Sequence, residues 1–177
     1  MNDKFLQQTQ REYSPSRRIV ALVFEGIFFI LLIPLGLNYA SGWLDVMFGL
    51  PVLKIGTINL IIGGVLIVAG FLFAMWAVYV QFTIGRGTPV PVMATQKLII
   101  EKPYNYCRNP MALGTIVLYL GFAILIGSIS ALVLVVILSA LLLYYIKTVE
   151  EKEMEIRFGE SYEAYRRSTP FILPRLK

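Results

Sequence analysis

From Met111 to Ile146 the chain carries no charged side chain. That run is far longer than the ~20 residues an α-helix needs to cross the hydrocarbon of a bilayer. In its middle sits Gly127-Ser128-Ile129-Ser130, the one turn-like place along it. The run is therefore expected to cross, turn and cross back. Its two ends are polar: Tyr104-Asn105-Tyr106-Cys107-Arg108-Asn109-Pro110 precedes it, and Lys147 and the acidic pair Glu150-Glu151 follow it. A hairpin brings Arg108 and Glu150 to the same membrane face. A basic and an acidic group meeting beside a lipid-filled space suit a charged small molecule bound next to a greasy one.

Composition agrees with a membrane class. Hydrophobic residues make up 57% of the chain, charged residues only 15%, and the mean hydropathy is +0.70; soluble domains carry about 25% charged residues. The expectation is an all-α integral membrane protein, one domain over residues 1–177. The net charge of +5 does not point to nucleic acid, because the basic residues flank apolar spans and form no separate patch. The single cysteine, Cys107, allows no intrachain disulfide. The chain has no histidine, which removes imidazole acid–base chemistry and His-ligated metals. No Cys–carboxylate cluster has metal-ligand spacing, so no metal is expected.

Four spans are expected: 19–37, 58–82, 111–126 and 131–146. The polar N-terminal stretch, with Pro15, does not read as a secretory signal, so the first span is expected to be retained. Basic residues mark cytoplasmic loops. All but Lys54 of the 16 lysines and arginines fall before the first span, between the second and third, or after the fourth. Both termini are therefore expected on the cytoplasmic side. Gly56, Gly63 and Gly70 recur every seven residues in the second span, with Gly64 beside them. Such a stripe lets helices approach closely, within one chain or between two. Glu25 stands inside the first span, where a carboxylate is either functional or paired toward Arg18.

The loop between the second and third spans holds Gly85, Gly87, Pro89, Pro91, Pro103 and Pro110, a density that breaks helices. Past Lys147 the fourth helix is expected to continue into the cytoplasm. There Met154, Phe158, Tyr162 and Tyr165 recur at helical steps, predicting an amphipathic tail helix closed by Pro170 and Pro174. Pro110 suits the first turn of the third span. A helix start there presents free N–H groups and a positive dipole end next to Arg108.

These residues match a family. Gly87-Thr88-Pro89-Val90-Pro91, then Lys97-Leu98-Ile99-Ile100, then Pro103-Tyr104 and Arg108-Asn109-Pro110-Met111 with Gly114, followed by Glu150-Glu151, Met154, Phe158-Gly159, Tyr162 and Tyr165, and finally Thr169 to Pro174, resemble the membrane-embedded methyltransferases. These comprise the isoprenylcysteine carboxyl methyltransferases and the phospholipid N-methyltransferases. The resemblance covers about residues 83–175.

The resemblance implies S-adenosylmethionine as cofactor, bound at the cytoplasmic base of the hairpin. It implies cofactor contacts from Leu98, Ile99, Tyr104, Asn109, Pro110, Met111 and Glu150. Arg108 and Glu151 are the expected catalytic pair, with Arg108 facing the methionine carboxylate. Lys147 and Glu25 are the expected substrate-side residues. The acceptor is expected to be lipophilic: an isoprenylcysteine-type carboxylate, a lipid amine or a thiol. The chain departs from the family pattern at Asn109, often His, at Lys102, usually Gly, and at Ala112, often Tyr. Ile146 stands where isoprenylcysteine methylators have an Arg thought to hold the substrate carboxylate, and Lys147 lacks the bidentate geometry of Arg. Two other readings stay open from the residues: an NADPH-dependent sterol-type reductase and a non-catalytic membrane scaffold.

Overall fold

A computed structural model describes residues 14–53, 56–86 and 95–175. The Gly87–Pro91 string, Lys4, Arg11, Lys54 and Lys177 lie outside the described residues. The described chain is helical, without strands. Its elements are α1 (Pro15–Phe48), α2 (Thr57–Gly85), α3 (Pro110–Ile126), α4 (Ile129–Phe158) and α5 (Glu160–Ser168). Three of these, α1, α2 and α4, are long and apolar enough to cross a membrane, and α3 is a shorter apolar helix. Their outward faces expose Leu, Ile, Val and Phe side chains, among them Phe24, Leu35, Val65, Leu72, Val136 and Leu141. Such a surface suits a multi-pass membrane protein.

The first span differs from its expected end at residue 37. A proline near that end reads as a terminator, yet α1 continues through Pro34 to Phe48. A proline inside a helix lacks an N–H and clashes with the carbonyl four residues back. Here the turn just upstream is widened into a π-helix over Phe28–Leu32, and the Ile33 N–H reaches back to the Phe28 carbonyl. The Phe29 carbonyl then has neither Ile33 nor Pro34 as a backbone donor. Tyr119 of α3 supplies one, donating its hydroxyl at 2.8 Å. The helix stops at Gly49, whose φ of 61° is left-handed.

The α3–α4 turn holds the expected hairpin. The backbone of Gly127 is left-handed, and Ser128 caps α4 by accepting from the Ala131 N–H at 3.0 Å. Asp45 at the far end of α1 accepts from the Ser128 hydroxyl at 2.5 Å and the Ser130 N–H at 3.0 Å. Asn59 of α2 donates to the Ile124 carbonyl at 2.7 Å. Helices α1 and α2 thus both close on this turn.

Two glycines of the stripe, Gly63 and Gly70, pack within the chain, while Gly56 has nothing within 4 Å. A Cβ at Gly70 would lie 2.5 Å from the Leu118 nitrogen, and one at Gly63 would lie 2.8 Å from the Gly121 carbonyl oxygen. The approach is mutual, since a Cβ at Gly114 would lie 2.6 Å from the Ala74 nitrogen and one at Gly121 would lie 2.7 Å from the Ile67 nitrogen. Backbones this close rule out side chains at all four positions. Gly64, by contrast, has open space beside it.

The tail is two helices rather than one over 152–167. Helix α4 runs on through another π-helical turn, Ile146–Glu150, to Phe158. Gly159, with φ +52° and ψ −129°, then breaks the chain before α5. Only glycine takes that backbone without strain. The bend folds α5 and the segment after it back toward the 104–109 loop.

Candidate active site

Helices α1 to α4, the loop and α5 surround a cavity of about 360 Å³. Its two halves differ in chemistry. One is apolar, lined by Leu22, Gly26, Phe29 and Ile30 of α1, Phe71 and Met75 of α2, Leu118 and Tyr119 of α3, and Leu142 and Ile146 of α4. The other is polar, lined by Gln81, Thr95, Lys97, Tyr104, Asn109, Thr115, Glu150, Glu153 and Arg157. Widened turns carry lining residues on three helices: Phe29 and Ile30 at Phe28–Leu32, Gln81 at Gln81–Gly85, and Ile146 and Glu150 at Ile146–Glu150. π-turns of this kind frequently mark functional sites.

Most of the expected residues meet here. Ile99, Tyr104, Arg108, Asn109, Pro110, Met111, Glu150, Glu151 and Glu25 all line the cavity. Leu98 and Lys147 are not among its lining residues. The hairpin brings Arg108 to the acidic pair, but its partner is Glu151. Arg108 donates from Nε to Glu151 Oε1 at 3.0 Å and from Nη2 to the same oxygen at 2.5 Å. Its Nη1 donates to the carbonyls of Arg166 at 3.0 Å and Thr169 at 2.6 Å. Those bonds take the Nε proton, both Nη1 protons and one of the two on Nη2. Lys147 completes the triad, 2.8 Å from Glu151 Oε2 and above the Phe171 ring. The Arg108 and Glu151 side chains are only 7% and 6% exposed, so the pair is buried.

The segment after α5 is held to the loop by further bonds. The Arg108 N–H donates to the Pro170 carbonyl at 2.9 Å, and Asn109 donates its side-chain amide to the Phe171 carbonyl at 2.9 Å. The Arg175 N–H donates to the Tyr106 carbonyl at 3.1 Å. Asn109, standing where the resemblance often has histidine, thus has its amide committed to the tail.

Tyr104 is fixed from both sides. Its hydroxyl donates to Gln81 Oε1 at 3.0 Å, and its carbonyl accepts from the Tyr165 hydroxyl at 2.7 Å. Burial above all, with Cys107 and Glu150 nearby, raises the Tyr104 phenol well above its ordinary value. Burial likewise raises Tyr165, and pushes Tyr162 up to about 12. All three phenols are therefore neutral donors at physiological pH. Arg157 reaches across from α4 to the Thr95 carbonyl, closing the polar end beneath the loop. Gln81, Thr95, Glu153, Arg157 and Tyr119 were not singled out as site residues from sequence. The first four lie where facing direction depends on a widened turn or on the loop path, which no periodicity signals; Tyr119 lies on regular α3, but its partner, the Phe29 carbonyl, is set by the widened turn of α1.

The donor set fits an S-adenosyl group. Tyr104, Ile99 and Met111 offer apolar and aromatic surface for a base. Glu150 and Glu153 are acceptors for an ammonium or ribose hydroxyls. The first turn of α3, opened by Pro110, has N–H groups without intrahelical partners, suited to a carboxylate.

A family model described as phospholipid methyltransferase matches residues 58–161, more than half of the chain's 177 residues. No curated protein matches the chain. The matched region contains the glycine-packed α2–α3 pair, the loop, and the Arg108–Glu151 pair. Membership in that family points to a membrane methyltransferase. On this match, the chain belongs to the phospholipid methyltransferase family.

Proposed function

We propose that this protein is an S-adenosylmethionine-dependent methyltransferase acting on a lipid amine drawn from the bilayer. The chain is read as four spans with both termini on the cytoplasmic face and the polar half of the cavity at that face. The single observation that carries the reading is the continuity of the cavity: one volume joins a polar end, with Tyr104, Glu150 and the start of α3, to an apolar end walled by α1 and α4. A charged cofactor and a greasy acceptor need such a shared space, because methyl transfer requires the two reacting atoms aligned and water kept out. The cofactor supplies an electrophilic methyl on a sulfonium.

The chain's own residues would do the rest. Ile99, Tyr104 and Met111 hold the adenine, with Leu98 backing them from outside the cavity. Glu150 accepts from the ammonium or ribose. The Met111 and Ala112 N–H groups receive the carboxylate, with one Arg108 proton left to help. Arg108 and Glu151 act chiefly by fixing the tail over the site. An amine acceptor is favoured over a carboxylate for two reasons. Ile146 lines the cavity where a carboxylate-binding Arg would stand, and Lys147 is spent on Glu151.

Calorimetry on the purified protein tests this with S-adenosylhomocysteine and NADPH in separate titrations. S-adenosylhomocysteine should bind in the micromolar range, and Glu150→Ala should weaken it about tenfold or more, the loss of one charge-assisted hydrogen bond. Binding of NADPH with none of S-adenosylhomocysteine would instead support a reductase.

A further inference from the structure

We propose that Glu25 is the residue that takes the proton from the acceptor amine; this rests on the methyltransferase reading above. Glu25 lies in α1, and its neighbours along the cavity wall are Leu22, Gly26, Phe29 and Ile30. It is seven residues past Arg18, whose guanidinium donates to the Phe82 carbonyl of α2. Counting seven residues back from Phe82 along α2 gives Met75, another lining residue. Glu25 is therefore level with Met75, roughly 10 Å above the Arg18–Phe82 contact at 1.5 Å per residue. That is the apolar half, where the acceptor would stand, and a carboxylate in such a segment marks function by default.

Other titratable groups share the cavity. From α4 come Glu150 and Glu153, together with Glu151 and Arg157, which are bonded to Arg108 and Thr95. The loop presents Lys97, Tyr104 and Arg108, and α5 presents Tyr162 and Tyr165. Helix α3 presents Tyr119, whose proton is given to Phe29, and α2 presents the untitratable Met75, Val78 and Gln81. The loop and α5 phenols are held neutral, so the candidate bases are carboxylates. Of these, Glu25 is the one level with the apolar half; Glu150 and Glu153 line the polar end, and Glu151 is bonded to Arg108.

The chemistry requires such a group. An ammonium has no lone pair and cannot attack. Glu25 takes one N–H proton and becomes a neutral carboxylic acid. The freed nitrogen pair forms the N–C bond to the sulfonium methyl as the C–S bond breaks, its electrons staying on sulfur as a neutral thioether. The product is a methylated ammonium, and Glu25 returns its proton to water.

The test compares wild type, Glu25→Gln, Glu25→Asp and Glu150→Gln, each full length in nanodiscs containing phosphatidylethanolamine. S-adenosylhomocysteine affinity, unfolding temperature and methylation rate from pH 6 to 10 are recorded. Glu25→Gln should bind S-adenosylhomocysteine within about twofold of wild type yet methylate at least about a hundredfold slower at pH 7, the usual contribution of general-base catalysis. The deficit should shrink as the pH rises and solvent deprotonates the amine. Glu25→Asp should recover part of the rate, which separates a lost carboxylate from a lost fold. An unchanged rate, a deficit equal at every pH, or lost S-adenosylhomocysteine binding in Glu25→Gln overturns the proposal, as does a pH-dependent deficit found only in Glu150→Gln. A wild type that binds no S-adenosylhomocysteine would sink the methyltransferase reading itself.

Discussion

Arg108 meets the acidic pair, as the hairpin argument expects, and has more partners than that argument foresees. What spacing cannot show is that the chain doubles back after Gly159, so that the Arg166 and Thr169 carbonyls reach the same guanidinium. Two carbonyls and a carboxylate then take most of its protons. Removing one partner of a buried ion pair costs about 3–5 kcal/mol, because the other charge is left buried and unpaired. Arg108→Ala should therefore lower the unfolding temperature of the detergent-solubilised protein markedly. Arg108→Lys should rescue little, since an ammonium cannot span the same fork of acceptors. Thermal unfolding followed by tryptophan fluorescence measures both; an Arg108→Ala protein as stable as wild type would mean that the tail is held by its other bonds.

At the scale of elements, the positions of helices α2 and α3 were legible from hydropathy, and the hairpin turn from Gly127 and Ser128. The glycine stripe was legible as a packing face but not as to its partner. That partner carries its own seven-residue repeat, Gly114 and Gly121, and the two stripes interlock backbone to backbone. The end of α1 was not legible, because a proline tolerated inside a helix depends on a widened turn and on a hydroxyl from a distant residue, Tyr119. Substitution separates the two kinds of glycine. Gly70→Val should destabilise by about 3 kcal/mol, the upper end for overpacking, since the obstructing atoms are backbone and cannot move aside. Gly64→Ala, with open space around it, should be neutral or stabilise by up to ~1 kcal/mol through helix propensity. Equal effects at the two positions, read by chemical denaturation in detergent, would contradict the α2–α3 packing.

For the whole molecule, function rests on what several elements enclose together. The chemistry-bearing residues of the loop and of the Glu150-Glu151 pair were readable because they lie at the two ends of one apolar run. The cavity was not, since its walls come from α1, α2, α3, α4 and α5 at once. Three widened turns decide which side chains face it. Sequence therefore points to the polar end, and the enclosed volume adds an apolar end against α1 with Glu25 in its lining; on the proposed function these are the cofactor and acceptor ends. The most direct measurement incubates the protein with methyl-labelled S-adenosylmethionine and total membrane lipid, then identifies the labelled product. Label in an amine-bearing lipid, dependent on the protein, is the predicted result. Label in no lipid, with S-adenosylmethionine left intact, would contradict the account.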